Sequence, residues 1–310
     1  VYDVEKLTDR ELAKLEDRLF DHYSRAGAEL TKTANDYFKT FKDRYEKEKK
    51  AYKNGAYTKE EFDRWYFNQI ARGDRWDVLR QQMAERMTHA NQIAQGYTNN
   101  VLPKIYCTAS NLTAKDAQLA AAADNVMGIR FDLIDEAAVK RLMAGSVEVR
   151  PYKQIEINIP KSTRWNRTKI QNAVLQGVLQ GDSIDQIANR MQNVTAMNRA
   201  QAICNARTAV TGARSAGKQD RYDDLAEQGC IATKIWNDTH DAMPPEREEH
   251  WEASGQEVQY DEPFDVGGEE LMYPGDPAGS PWNIYNCRCT MKTGKFKFKS
   301  TLSRGSVKVR

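Results

Sequence analysis

Apolar side chains recur every three or four residues from Leu12 through Leu15, Leu19, Tyr23, Ala26, Leu30, Ala34, Tyr37, Phe38 and Phe41 to Tyr45. Only an α-helix keeps such a stripe on one face for about 35 residues. A helix that long cannot bury its stripe alone, so the chain must pack helix on helix. The next segments supply partners. Thr8-x-x-Glu11 has the form of a capping box and predicts where the first helix opens, and Asn54-Gly55 predicts where it stops. A second box, Thr58-x-x-Glu61, opens a shorter helix with Phe62, Trp65, Tyr66 and Ile70. Arg72-Gly73-Asp74 turns into a third with Trp76, Leu79, Met83, Met87, Ala90, Ile93, Ala94, Tyr97 and Val101, and Pro103 is expected to end it. The aromatic stripe predicts mainly a bundle core. Large side chains beyond what one thin bundle can hold, such as Trp65, Tyr66 and Trp76, would be anchors for a partner. The spacing is too irregular for a heptad coiled coil.

Two more helices are expected in 110–145, around a break at Met127-Gly128. The period then changes: 147–159 alternates apolar and polar residues and reads as one or two strands or an extended arm. A boundary near 160 divides a helical N-terminal region, 1–160, from a second domain, 161–291. In that domain helices over 163–229 include Ser183-x-x-Gln186 as a capping box after a stop at Gly181. Residues 230–291 turn acidic and rich in Gly and Pro, with strand candidates at Ile231–Trp236 and around Val258–Phe264. Residues 292–310 form a basic tail. The expected class is predominantly α-helical, α+β: long N-terminal helices, then a helical domain with a small loop-rich lobe containing β-structure.

The net charge of +2 conceals a partition. Residues 1–230 carry 36 basic and 31 acidic groups, 231–290 carry 3 and 13, and 291–310 carry 7 and none. The whole is no DNA-coating protein. The tail alone has the positive field for weak, non-specific contact with a polyanion, through Lys292, Lys295, Lys297, Lys299, Arg304, Lys308 and Arg310. Its Lys-Phe alternation over 295–299 equally predicts a lysine-decorated edge strand. No apolar run approaches the about 18 residues of a membrane span, and the opening residues lack the layout of a signal peptide. Five cysteines, odd in number and sparse, point to a reducing compartment.

Reactive side chains gather in the acidic lobe. Cys287-Arg288-Cys289 sets two thiols two residues apart, and His250 with Asp238 or Asp241 would complete four ligands for a zinc staple. The alternative is that these side chains are simply packed and hydrogen-bonded, without metal. No G-x-S-x-G, Walker A, H-E-x-x-H or G-x-G-x-x-G stands in a suitable context, so no catalytic residue is assigned and no enzyme is expected.

A series of blocks runs through the second half. They are Ala206-Arg207-Thr208, Gly229, Trp236-x-Asp238-x-x-Asp241, Arg247-x-x-His250 with Gly255 and Val258, Phe264, Leu271-x-Tyr273-Pro274-Gly275-Asp276, and Asn286-Cys287-Arg288-Cys289. In this order they resemble the phage Mu protein F-like minor head protein family, over roughly 165–292. Family members commonly have an acid directly after the Arg-Thr pair, where this chain has Ala209.

The resemblance implies a structural minor capsid protein of a tailed phage. It would sit inside the head at the portal vertex, having assembled in the host cytoplasm with portal protein and other head proteins such as major capsid or scaffold. There it would assist head assembly and DNA packaging or ejection. Arg207, Thr208, Trp236, Arg247, Gly255, Asn286 and Arg288 would be structural, with Arg247 and Arg288 in buried ion pairs. The alternative function is a metal-dependent nuclease or other enzyme carried in the virion.

Overall fold

The computed structural model describes residues 3–70, 73–130, 132–146, 150–238 and 247–299. It is 68% helical, with small antiparallel sheets near the C-terminus, which settles the class as helical α+β. Helices run in the order α1 Val4–Lys39, α2 Lys42–Lys53, α3 Lys59–Ile70, α4 Asp74–Ala123, α5 Glu136–Met143, α6 Ile159–Gln180, α7 Ile184–Asn189 and α8 Met191–Glu227. The lobe follows as β1 Cys230–Asn237, α9 Glu248–Glu252, β2 Glu257–Gln259, β3 Phe264–Val266, β4 Glu269–Leu271, α10 Pro281–Ile284 and β5 Thr290–Phe298. No helix among the described residues is long and apolar enough to cross a membrane.

The three capping boxes differ in outcome. At Thr58 the backbone N–H and hydroxyl both donate to the Glu61 carboxylate, and the Glu61 N–H donates back to the Thr58 hydroxyl, so α3 starts where the sequence predicts. The reciprocal box at Ser183 and Gln186 likewise opens α7, after Gly181 ends α6 in the left-handed conformation. Thr8, in contrast, lies inside α1. Its hydroxyl donates to the Val4 carbonyl one turn back, because the helix already begins at Val4. Pro103 does not end a helix either. α4 continues through it for 20 more residues to Ala123, since Leu102, Ile105, Tyr106 and Ala109 are buried around it and their packing outweighs one missing backbone donor.

The described part of 147–159, residues 150–158, forms no ladder and is an extended connector; 147–149 lie outside the described residues. Its end is held by Asn99, whose amide donates to the Ile155 carbonyl and whose side-chain oxygen accepts the Ile155 N–H.

The chain divides into two compact units that interleave in sequence. One comprises Asp17–Tyr97 and Glu156–Ile203. Its core is aromatic: Trp76 stacks on Phe38, Tyr45 meets Tyr66 at 4.6 Å between ring centres, and Phe62 stacks on Tyr52. Tyr66 and Trp76 are therefore core residues and not the displayed anchors that the sequence suggested; each is 1% exposed.

The other unit comprises Val1–Glu16, Thr98–Ile155 and Cys204–Arg310, and it contains the candidate site. Its three-stranded antiparallel sheet has the order β2-β1-β5, and β3 and β4 form a separate hairpin. Gly267 and Gly268, both at positive φ, make the two-residue turn of that hairpin. β5 occupies residues 290–298, so the basic segment begins as a strand of the lobe.

Candidate functional site

The lobe is assembled on α8 by side chains repeating every three or four residues. The Thr208 hydroxyl accepts the Asn286 N–H (2.8 Å), and the Thr211 hydroxyl donates to the Cys287 carbonyl (2.8 Å). Arg214 donates to the Cys289 carbonyl (3.3 Å), Lys218 to the Met291 carbonyl (2.6 Å), and the Tyr222 hydroxyl pairs with that of Thr293 (2.7 Å). From 211 to 222 a helix rises about 17 Å, and from 287 to 293 an extended chain covers about 20 Å. The two repeats therefore stay in step.

The same helix face is neutralised by the start of α1. Arg207 makes a two-pronged contact with Glu16 (2.6 and 3.3 Å), Arg214 pairs with Asp9 (2.9 Å) and Lys218 with Glu5 (2.7 Å). Arg207 and Thr208 are structural in this sense. Sequence reasoning missed Thr211, Arg214, Lys218 and Tyr222, although cations at three- and four-residue spacing on an Ala- and Gly-rich helix are a readable signal of a buried polar seam.

This docking carries Cys287 and Cys289 to the buried imidazole of His250, which sits on α9. Nδ1 of His250 lies 3.3 Å from the Cys289 sulfur and 3.6 Å from the Cys287 sulfur, and one ligand atom from each of the three residues lies within 4.8 Å of the others. All three are essentially without solvent contact, at 1%, 3% and 0% exposed for His250, Cys287 and Cys289. Trp236 meets the His250 ring edge-on at 5.6 Å, and the two cysteines share an apolar cluster with Phe264, Val266, Leu271 and Met291. Asn286, at φ 57, makes the left-handed turn that leads into the first cysteine.

Hydrogen bonding from Cys289 holds the Cys287 thiol well below the usual thiol range, and the His250 hydrogen bond and charge add to this against desolvation. Burial opposes protonation of His250, yet its contact with Cys287 raises it above the ordinary imidazole value. Two sulfurs and an imidazole nitrogen are soft and borderline donors that suit zinc. As a nucleophile the pair is poorly placed, because reactive thiols need access to their substrate.

Of the other expected ligands, Asp238 does not join the group. It is buried at the end of β1 and accepts a hydrogen bond from the Ser254 hydroxyl (3.0 Å). Asp241 lies outside the described residues. Gly255, at φ 83, donates its N–H to the Trp236 carbonyl (2.8 Å), which ties the end of α9 to β1. Among the described residues Arg247 makes no ion pair; it donates to the Tyr285 carbonyl (2.7 Å) and lies over the Trp282 ring. Arg288 is half-buried between the two cysteines in sequence. Lys292, Lys295 and Lys297 are exposed on one face of β5 and Lys299 is exposed just after its end, while Arg304, Lys308 and Arg310 lie outside the described residues.

Residues 168–292, which contain α8, the seam and the His/Cys cluster, match the family described as Phage Mu protein F like protein. Over that segment, about two fifths of its length, the chain is similar to the phage Mu F-like family. Two curated proteins share similarity with it. One is named NAD(+)--arginine ADP-ribosyltransferase EFV, from Enterococcus faecalis, at 31% identity over 121 residues, which is 39% of this chain and 24% of that protein. The other is the uncharacterized protein YqbB of Bacillus subtilis, at 27% identity over 124 residues, 39% of this chain and 40% of that one. The chain thus matches well under half the length of either relative. No solved structure matches it.

Proposed function

We propose that this Mu F-like chain is a structural minor component of a tailed-phage head, acting at the portal vertex in head assembly and in DNA packaging or ejection. The match over 168–292 carries this reading. The nature of the cluster supports it, since side chains this buried hold a lobe in shape. The ADP-ribosyltransferase shares only about a quarter of its length with the chain, a share too small to bring its named activity across.

With Tyr66 and Trp76 buried, the contact with head proteins is proposed for the lobe. Trp251, Trp282 and Tyr285 are 60%, 64% and 54% exposed there, and Arg247 lies over Trp282. Exposed Trp, Tyr and Arg are the residue types that dominate binding energy at interfaces. Co-expression of the full chain with portal protein followed by pull-down tests the assignment. Recovery is expected from the native chain and is expected to fall at least tenfold for the W251A/W282A/Y285A variant. Equal recovery of native and variant chains would overturn the placement, and no recovery of either would overturn the partner.

A further inference from the structure

We propose that His250, Cys287 and Cys289 bind one zinc ion that staples the lobe onto α8. The inference stands on the cluster's geometry and is independent of any role in a phage head.

Zinc bonds of about 2.3 Å to sulfur and about 2.0–2.1 Å to nitrogen, at tetrahedral angles, set nitrogen-to-sulfur separations near 3.6 Å and sulfur-to-sulfur separations near 3.8 Å. The two observed nitrogen-to-sulfur separations are 3.3 and 3.6 Å, and both involve the same ring nitrogen. That shared atom is informative. Nδ1 carries either one proton or one lone pair, so it makes one good hydrogen bond to only one of the two sulfurs it approaches. A cation among the three atoms satisfies all of them at these distances.

The surroundings agree with a metal site. Among the described residues, His250 Nε2 and the Asn283 side-chain oxygen are both buried without a hydrogen-bond partner, while the Asn283 amide donates to the Val266 carbonyl (3.2 Å), so Asn283 is the group available to accept the Nε2 proton and orient the ring once Nδ1 binds metal. The cysteines' own carbonyls are held by Thr211 and Arg214, so both sulfurs are positioned by α8 before any ion arrives. Binding requires both sulfurs as thiolates and His250 neutral with its remaining proton on Nε2, so two protons leave the cluster in all. Three protein ligands leave one coordination position for a water molecule or a further side chain.

The full chain, purified without chelator, equilibrated with zinc chloride and dialysed, is expected to retain about one zinc per molecule. With cobalt(II) it is expected to show thiolate-to-metal charge-transfer bands and a tetrahedral ligand-field spectrum. The C287S/C289S variant should lose the retained zinc. N283A keeps all three ligands and should bind about 10–100-fold more weakly. Retention below about 0.1 zinc per chain with the thiols reduced, or cobalt binding without charge-transfer bands, would overturn the proposal. So would undiminished retention by C287S/C289S. If that variant fails to fold, the cobalt spectrum of the native chain decides alone.

Discussion

Lys218→Met is the perturbation that most directly tests whether α8 organises the lobe. The ammonium is 4% exposed, contacts Glu5 at 2.7 Å and the Met291 carbonyl at 2.6 Å, and burial pulls its pKa down despite the attraction of Glu5. Methionine fills nearly the same volume, so the change removes charge and donors with little loss of packing. Breaking one side of a buried pair costs about 3–5 kcal/mol. Glu5, at 24% side-chain exposure, can recover part of its hydration, which places the carboxylate's share near the lower end. The unpartnered Met291 carbonyl adds about 1 kcal/mol, so a total of about 3–4 kcal/mol is expected. Urea denaturation at pH 7, followed by tryptophan fluorescence, measures it. The E5Q/K218M double variant should regain at least about 1 kcal/mol relative to the sum of the single changes, because the two residues are coupled. A K218M chain within about 0.5 kcal/mol of the native one, inside the range of an ordinary surface change, would refute the view that this seam holds the lobe.

Asp220 supplies a test by pH. Burial, reinforced by Asp223 and Asp224 and opposed by the Tyr106 hydrogen bond, pushes its carboxyl up to about 6. A raised pKa means that folding favours the protonated form, so the contribution is complete below the unfolded value near 4 and is lost as pH rises through 6. Asp220→Asn keeps an acceptor for the Tyr106 hydroxyl. It should raise stability at pH 7 by up to about 3 kcal/mol and flatten the stability curve between pH 4 and 6; an unchanged curve would count against the shift. For the basic face, K295S/K297S/K299S leaves β5 in place and should reduce low-salt retention on DNA. Its salt slope should fall by up to about 2.7, at about 0.9 per phosphate contact, whereas an unchanged slope would remove the nucleic-acid role.

Local order was legible where a signal and its target lie within one turn. Thr58 with Glu61, Ser183 with Gln186, Gly181 and the β1 run each act on neighbours a few residues away. The same kind of signal misled at Thr8, because nothing in four residues reveals that the helix has already begun at Val4. Pro103 misled for the opposite reason: its local cost is real, but the burial of Leu102, Ile105 and Tyr106 that overrides it depends on distant segments. The site was half legible. Cys-x-Cys and His250 stood out by residue type, yet Thr211, Arg214 and Lys218 act on carbonyls more than 70 positions away, and Asn283 gave no signal at all. Asp238 shared the right chemistry, but the Ser254 hydroxyl engages it elsewhere.

The pairing of β5 with β1 slips by one residue around Gly294, where Ala232 faces Phe296 but Lys234 faces Thr293. Without that slip the lysines at 295, 297 and 299 would fall on the side of Met291 and Thr293, and Phe296 and Phe298 would face water. The extra residue resets the phase, so all four lysines from 292 to 299 look outward while both phenylalanines pack inward against Tyr222, Leu225 and their neighbours. The open side of this border strand is thereby closed to its own kind. Near Met291 its carbonyl is already engaged by Lys218, and further on two copies meeting side by side would set lysine against lysine. Among the described residues the slip at Gly294 thus decides that this border strand presents a positively charged face, which an antiparallel second copy would meet with like charge.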